Sequence, residues 1–354
     1  MKPLKRYFFL SLLCMAAAVI AVLILMIISK NNDSLKGDFN RNFISKTLVL
    51  LYHSKKMNGL RAICGIQKDQ IYFETDSVGS IIETDSTLSN KRLLKFEIPG
   101  RETVQSLYTT FIDSSYYYIM AGNVPEVIRY NLHRLSYQIF HFPKNLFSES
   151  VVTGNSDFVL RAYQKFKGRW DQAFTMWNPV KNIFLTEENV SKKGGDAGFS
   201  TDGMLSFDRS SSRILYVEYY SNQFICMDTL LQILYKGQTI DTFSNTVIKV
   251  SLETTPYSKT ITNGSPLHQI NLESMAVNGK LFIHSATPAK NESSKEFRSN
   301  AVIDVYRISD GNYLSSFYIP EYKGERLKDF EVRADKIIVL YDNYVAVYSI
   351  PFNI

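Results

Sequence analysis

Short runs of alternating hydrophobic and polar residues, rich in Tyr, Phe, Ile, Val and Thr, fill the chain from residue 46 onward. An alternation with a period of two places successive side chains on opposite faces of an extended backbone, so these runs predict β-strands. Helix-type periodicity is scarce in the same region. The pattern therefore predicts one all-β domain over residues 46–354.

The predicted strands recur in groups of four, separated by turn residues. Six groups cover 60–99, 104–143, 151–188, 202–237, 273–320 and 327–351. Repeats of four short antiparallel strands at this spacing are typical of β-propeller blades. The sequence thus predicts a six-bladed β-propeller with four-stranded antiparallel blades. A seven-bladed ring and a two-sheet sandwich are the alternatives.

The last group contains three strands only. The missing fourth strand is predicted at KTLVLLYH (46–53), which precedes the first group. Such a strand would complete the sixth blade and close the ring, which removes an exposed sheet edge.

Near the N-terminus, Tyr7 to Ile28 form an uncharged apolar run of 22 residues. At ~1.5 Å per residue a helix of this length reaches ~33 Å, enough to cross a hydrocarbon core of ~30 Å. The run predicts a transmembrane signal anchor within residues 1–30, followed by a polar linker at 31–45. A cleaved secretory signal is the alternative, but apolar residues continue past Val19-Ile20-Ala21, its candidate cleavage site.

An N-terminal anchor ahead of a large domain usually exports that domain. We therefore expect a single-pass protein of the bacterial inner membrane, with its N-terminus inside and its propeller on the periplasmic side. A domain that faces the cytoplasm is the alternative.

The formal charge of the chain is +6, from 40 basic and 34 acidic residues. Residues 1–30 contain four bases and no acid, so residues 31–354 carry 36 bases and 34 acids, a net +2. So small a charge, with no basic stripe, predicts no nucleic-acid partner. Cys64 and Cys226 lie in apolar strand-like runs and are expected to be buried core residues.

The long connections, which include a loop at 165–171 in the third group, fall in two classes. They are the links between the second and third strands of a blade and the links from one blade to the next. Both classes lie on one face of a propeller, which makes that face a candidate recognition surface. The alternative is that these solvent-exposed loops became longer through neutral sequence drift and have no binding role. The candidate binding residues on this face are Arg101, Lys165, Lys167, Arg169, Trp170, Asp171, Tyr220 and Arg326.

No nucleophile elbow, zinc-protease motif, P-loop or dinucleotide fingerprint occurs in the sequence. We expect no cofactor and no catalytic residue. Hydrolytic propellers usually hold a metal ion in the central channel, and weak candidates for its ligands on inner strands are Glu273, Asp329 and Glu331.

The segment STDGMLSFDRSSSRILYVEYYSNQFICMDTLLQILYKGQTIDT (200–242), with VIDVYRISDG and FYIPEY (302–322), resembles membrane-anchored, six-bladed, TolB-like propeller proteins of bacteria. The resemblance covers most of the chain after the anchor. It implies the propeller fold and an envelope location, and it implies no catalytic residue.

The sequence therefore predicts an exported propeller that acts as a scaffold or sensor. Its expected partner is an envelope protein, a peptide or a small ligand, and its membrane contact is residues 7–28. A metal-dependent hydrolase or lactonase that uses the central channel is the alternative.

Overall fold

The computed structural model describes residues 12–24, 37–44, 48–52, 56–98, 108–134, 136–143, 146–154, 156–190, 196–243, 250–254, 259–263 and 268–350. Residues 12–24 form a helix, α1, whose large apolar side chains are exposed. Within the described ranges, no helix is both long enough and apolar enough to span a membrane. The predicted span, residues 7–28, extends past both ends of α1 and so lies partly outside the described residues.

Six four-stranded antiparallel sheets form the main body of the described chain. The first three blades are β2–β5 (Leu60–Gln67, Gln70–Thr75, Ser80–Asp85, Arg92–Lys95), β6–β9 (Tyr108–Asp113, Tyr116–Ala121, Glu126–Asn131, Tyr137–His141) and β10–β13 (Phe147–Val152, Phe158–Phe166, Arg169–Asn178, Ile183–Glu187). The fourth and fifth blades are β14–β17 (Gly203–Asp208, Arg213–Glu218, Gln223–Met227, Ile233–Gln238) and β20–β23 (Asn271–Val277, Lys280–Ser285, Asn300–Arg307, Tyr313–Pro320).

The sixth blade joins the two ends of the ring. It consists of β24 (Asp329–Arg333), β25 (Lys336–Leu340), β26 (Val345–Ser349) and, as its outer strand, β1 (Val49–Tyr52). Strand β1 pairs antiparallel with β26, with Val49 opposite Ser349. The outer strand of the last blade therefore comes from the segment in which the sequence predicts it.

The first strand of each blade lies innermost. Neighbouring first strands contact one another in the cyclic order β2, β6, β10, β14, β20, β24 and back to β2. This closed cycle establishes a six-bladed β-propeller, as the repeat predicts.

The core is divided into layers between neighbouring blades. Alternate residues of one strand pack against opposite neighbours: in β7, Tyr117 and Ile119 join the layer with blade 1, while Tyr118 and Met120 join the layer with blade 3. The period of two that marks the strands in the sequence is thus the period that fills both sides of each blade. Cys64 and Cys226 are buried free thiols in two of these layers.

The ring has two unlike faces. We call the loop face the one that carries the links between second and third strands and the links between blades, and we call the other the turn face. Long links on the loop face contain a one-turn 3-10 helix (Phe199–Thr201), the hairpin β18–β19 (Val250–Thr254, Lys259–Asn263) and helix α2 (Ser294–Ser299).

The sequence predicts a loop at 165–171, and this prediction is wrong. Strands β11 and β12 continue through the segment as a paired hairpin, with Lys165 opposite Trp170. The hairpin turns at Lys167 and Gly168, which have φ angles of 48° and 82°. Two residues with positive φ match the twist of a two-residue hairpin, and glycine adopts this conformation without steric cost.

Residues 37–44, part of the predicted linker, lie against blade 5; we call them the strap. The backbone N–H of Ile44 donates to the Ser316 carbonyl, and the N–H of Ser316 donates to the Asn42 carbonyl, each at 2.9 Å. The ring of Phe43 stacks on Tyr318 with centroids 4.6 Å apart. The strap thus covers the edge of β23, the outer strand of blade 5.

Arg41 fixes the strap in the protein interior, where it is 4% exposed. Its guanidinium binds Asp304 through two hydrogen bonds of 2.8 and 3.0 Å and also pairs with Glu292. Further hydrogen bonds reach the Thr287 carbonyl at 2.9 Å and the Ser285 hydroxyl at 2.8 Å. A planar guanidinium with this many partners can be buried because its charge and its donors are both satisfied.

Candidate functional site

A central channel runs through the ring and holds a cavity of about 550 Å³. All six inner strands contribute to its lining. Arg61 and Tyr108 lie where their strands begin, near the loop face, while Asp113 lies where its strand ends, at the turn face. A cavity with a few convergent polar groups is the usual form of a ligand site.

An ion pair lies across the channel at the turn face. Arg209 follows the inner strand of blade 4, and it binds Asp113 at the end of the inner strand of blade 2. Because blade 3 separates these two blades in the ring, the pair bridges the channel end. The arrangement favours entry from the loop face.

The three channel acids expected from the sequence, Glu273, Asp329 and Glu331, all line this cavity. Burial in the channel wall raises the pKa of Glu273 and of Glu331 to about 8, and the neighbouring Asp329 carboxylate adds to both shifts. Burial raises the pKa of Asp329 to about 6. That shift is limited because the Ile63 backbone N–H of the next blade donates to Asp329 Oδ2 at 2.7 Å.

Glu149 is a fourth channel acid, which sequence reasoning missed. Burial raises its pKa to about 8, and Asp202 raises it further, while Arg161 lowers it. Glu149, Glu273 and Glu331 each occupy the third position of an inner strand. This shared register was a usable signal, but the sequence places the inner strand of blade 3 at 151–154 rather than at Phe147–Val152, and Glu149 then falls outside it.

These acids are half-buried, because the channel reaches them while its walls exclude most of the solvent. Within the described ranges, no three His, Cys, Asp or Glu side chains come together closely enough to hold a metal ion. The acids lie on the inner strands of three different blades, and they do not converge on one point.

Two positively charged side chains stand beside the acids near the loop face. Arg61 forms an ion pair with Glu74 at 3.2 Å and lies over the ring of Tyr108 at 4.4 Å. Lys328 donates to the Leu60 carbonyl at 2.9 Å. Burial raises the pKa of Glu74, and Arg61 partly offsets this.

Arg161 ties the channel to the loop face. It is fully buried in β11, and its guanidinium donates to Asp202 and to the Gly198 carbonyl, both at 2.7 Å. Burial raises the pKa of Asp202, while Arg161 lowers it. The long link between blades 3 and 4 is therefore held beside Glu149 by a buried charge.

The candidate binding residues of the β11–β12 hairpin fall into two groups. Lys165, Lys167, Arg169 and Trp170 are exposed, with Trp170 at 42%, and the Lys165 ammonium lies 5.1 Å from the Trp170 ring. Asp171 is 1% exposed, and its carboxylate accepts from the Gln172 backbone N–H at 2.9 Å. The exposed group is thus free to meet a partner, whereas Asp171 is enclosed.

The remaining candidates are dispersed. Tyr220 is half-buried beside Tyr219, which lines the channel. Arg326 is exposed, pairs with Glu321 at 3.2 Å and lines a separate cavity of about 270 Å³ beside His284. Burial lowers the pKa of His284 to about 4. Arg101 lies outside the described residues.

We expect the protein to lose stability as the pH rises from about 5 to 8. The ordinary glutamate pKa of 4.5 applies to the unfolded chain, whereas Glu149, Glu273 and Glu331 keep a pKa of about 8 when folded. Between these values the folded state binds more protons than the unfolded state, so a rising pH favours unfolding. Melting temperatures across this range test the effect.

The matched variant for this test combines Glu149→Gln, Glu273→Gln and Glu331→Gln. It is expected to flatten the pH profile, because an amide mimics the protonated acid at every pH. A wild-type melting temperature that stays constant between about pH 5 and 8 would contradict the predicted shifts.

No protein-family profile matches the sequence, and no curated protein matches it. Among solved structures, a member of the DUF4221 family from Bacteroides vulgatus aligns with a TM-score of 0.54 at 11% identity, over 89% of this chain and 98% of that chain. A streptogramin B lyase has a TM-score of 0.48 at 9% identity, over 89% of this chain and 98% of that chain. At 11% identity, the likeness to the DUF4221 protein is one of fold alone.

Proposed function

We propose that this chain is a membrane-anchored, exported binding protein whose ligand docks on the loop face and reaches into the central channel. The observation that carries the proposal is the channel cavity, which every inner strand lines and which the Arg209–Asp113 pair spans at the turn face. The long links surround the open end of the same channel. A rigid ring that presents adaptable segments around a cavity is suited to recognition.

A protein or peptide of the cell envelope is the partner that we propose. Exposed aromatic and basic side chains are common anchors of protein interfaces, and the β11–β12 hairpin carries Trp170 together with Lys165 and Arg169 at its tip. The hairpin is paired along its whole length. It therefore presents these side chains from a rigid support, which limits the entropy lost on binding.

The membrane anchor in this proposal rests on the uncharged run from Tyr7 to Ile28. The strap begins at Gly37, whose backbone N–H donates to the Pro288 carbonyl in a loop-face link. Nine residues span at most ~30 Å, so an anchor ending at Ile28 would keep this link within ~30 Å of the bilayer.

A reporter fusion tests the periplasmic location. A reporter that is active only in the cytoplasm is expected to be inactive when it is fused after Ile354. Activity of that reporter would contradict export.

Site-specific photocrosslinking in membranes tests the binding role. A crosslinking residue in place of Trp170 is expected to capture one partner of defined mass, whereas the same residue in place of Asp69, in the β2–β3 turn on the turn face, is expected to capture none. An excess of purified wild-type protein should reduce the yield of the crosslinked complex, because it competes for the same partner.

A second variant tests whether the ligand enters the channel. Thr109 is exposed within the channel lining, so Thr109→Trp adds bulk to the cavity without replacing a core residue. It is expected to abolish the Trp170 crosslink, while Leu93→Trp, at an exposed position on the outer strand of blade 1, leaves the crosslink intact. Equal crosslinking by both variants would refute a channel-bound ligand.

A further inference from the structure

The charges that line the channel do not balance. Six acids, Glu74, Asp113, Glu149, Glu273, Asp329 and Glu331, face three bases, Arg61, Arg209 and Lys328. Two pairs neutralise each other, Arg61 with Glu74 and Arg209 with Asp113. Within the lining, four acids then remain against Lys328 alone, so their full ionisation leaves three more negative than positive charges among the lining residues.

The channel also contains buried polar atoms that have no hydrogen-bond partner among the described residues. Tyr108 is 4% exposed and lines the cavity, and its hydroxyl is unpaired. The hydroxyls of Ser206 and Ser274, in the same lining, are unpaired as well. A buried polar group without a hydrogen-bond partner is destabilising, so a ligand that pairs with these hydroxyls would gain binding free energy.

The placement of the acids on different blades favours an extended ligand that reaches across the channel. Glu149 lies on blade 3, Glu273 on blade 5, and Asp329 with Glu331 on blade 6. Apolar side chains such as Val151, Leu205 and Met275 lie on the inner strands of blades 3, 4 and 5 in the same lining. Separated carboxylates with apolar surface between them match charged nitrogens joined by methylene groups.

We propose that the channel binds an extended organic cation, an ammonium or guanidinium group on an alkyl chain. This chemistry is shared by free diamines and polyamines and by a lysine or arginine side chain of a docked peptide. The inference rests on the proposed function of the channel as a binding site, and it specifies the ligand that the site accepts. The alkyl chain contacts the apolar lining, and the charged nitrogens bind Glu273, Glu331 and Glu149.

Calorimetric titration of the purified full chain at pH 8.5 and low ionic strength tests this proposal. The probes are 1,4-diaminobutane, spermidine and Nα-acetyl-lysine amide, with 1,4-butanediol and succinate as the uncharged and anionic controls. The cations are expected to bind, and the two controls are not. If the free amines bind more tightly than the lysine derivative, the natural ligand is a small molecule. If the lysine derivative binds more tightly, the natural ligand is the side chain of a docked peptide.

The double variant Glu273→Gln with Glu331→Gln is expected to weaken cation binding at least about tenfold, which corresponds to 1.4 kcal/mol. Glu188→Gln removes one negative charge from an exposed position after β13 and should leave the affinity unchanged. Thermal unfolding of each variant verifies that it is folded. If the double variant does not fold, Thr109→Trp supplies the same comparison.

Equal affinity of the double variant and the wild type, or no binding by any of the cations, would overturn the inference. The proposed function survives that result if Thr109→Trp still abolishes the Trp170 crosslink, because the channel then binds a ligand of another chemistry. If Thr109→Trp changes neither the crosslink nor cation binding, both proposals fail.

Discussion

A chain that begins at residue 56 is expected to show no cooperative unfolding transition, whereas a chain that begins at residue 37 keeps one. The shorter chain lacks β1, so it exposes the edge of β26 and opens the ring between blades 6 and 1. An unpaired edge invites association with other chains. Calorimetry and size-exclusion chromatography of the two chains provide the measurement.

A chain that begins at residue 48 separates the two contributions. It keeps β1 and loses the strap, so it should remain a closed ring of reduced stability. If the chain that begins at residue 56 melts at the same temperature as the chain that begins at residue 37, then β1 does not hold the ring closed.

Arg41→Ala is expected to lower the free energy of unfolding by about 3–5 kcal/mol, which is typical for breaking a buried ion pair from one side. The variant would leave Asp304 and Glu292 charged and enclosed, since both are nearly inaccessible to solvent. The Asp304 carboxylate would keep its hydrogen bond from the Ser316 hydroxyl, which does not neutralise its charge. Denaturant unfolding monitored by circular dichroism measures the loss.

Two comparisons test the cause of this loss. Arg307→Ala removes an exposed ion pair with Asp310 at 2.8 Å and is expected to cost about 0–1 kcal/mol. Adding Asp304→Asn and Glu292→Gln to Arg41→Ala should restore part of the stability, because no uncompensated charge then remains buried. A loss below about 1 kcal/mol for Arg41→Ala would show that the strap is not fixed by this charge network.

Much of the propeller can be predicted from local pattern. The β7 run Tyr116–Ala121 alternates between two core layers, and the same alternation recurs in every blade. The deficit of one strand in the last group predicts that a strand from the other end of the chain completes it, and β1 occupies that position. Strand alternation and repeat length are local properties of the backbone, so the sequence displays them directly.

The channel could be predicted only in part. Glu273, Asp329 and Glu331 fall on predicted inner strands, and all three line the cavity. The sequence does not identify Glu149, because the predicted inner strand of blade 3 begins four residues later than the observed one. Glu149 then precedes the predicted strand and does not align with the inner-strand acids of the other blades. The hairpin at 165–171 was missed because basic and aromatic residues near a glycine suit a loop and a paired strand equally well.

The sequence by itself determines that strands recur in units of four along the chain, because the strand period and the repeat are properties of neighbouring residues. The contacts between inner strands decide that six such units close into a ring. The tertiary structure alone decides which charges meet. Arg41 and Asp304 are 263 positions apart, and the channel acids come from three blades. Closure of the ring brings these groups together and excludes water from them, and that enclosure raises the pKa values of the channel acids.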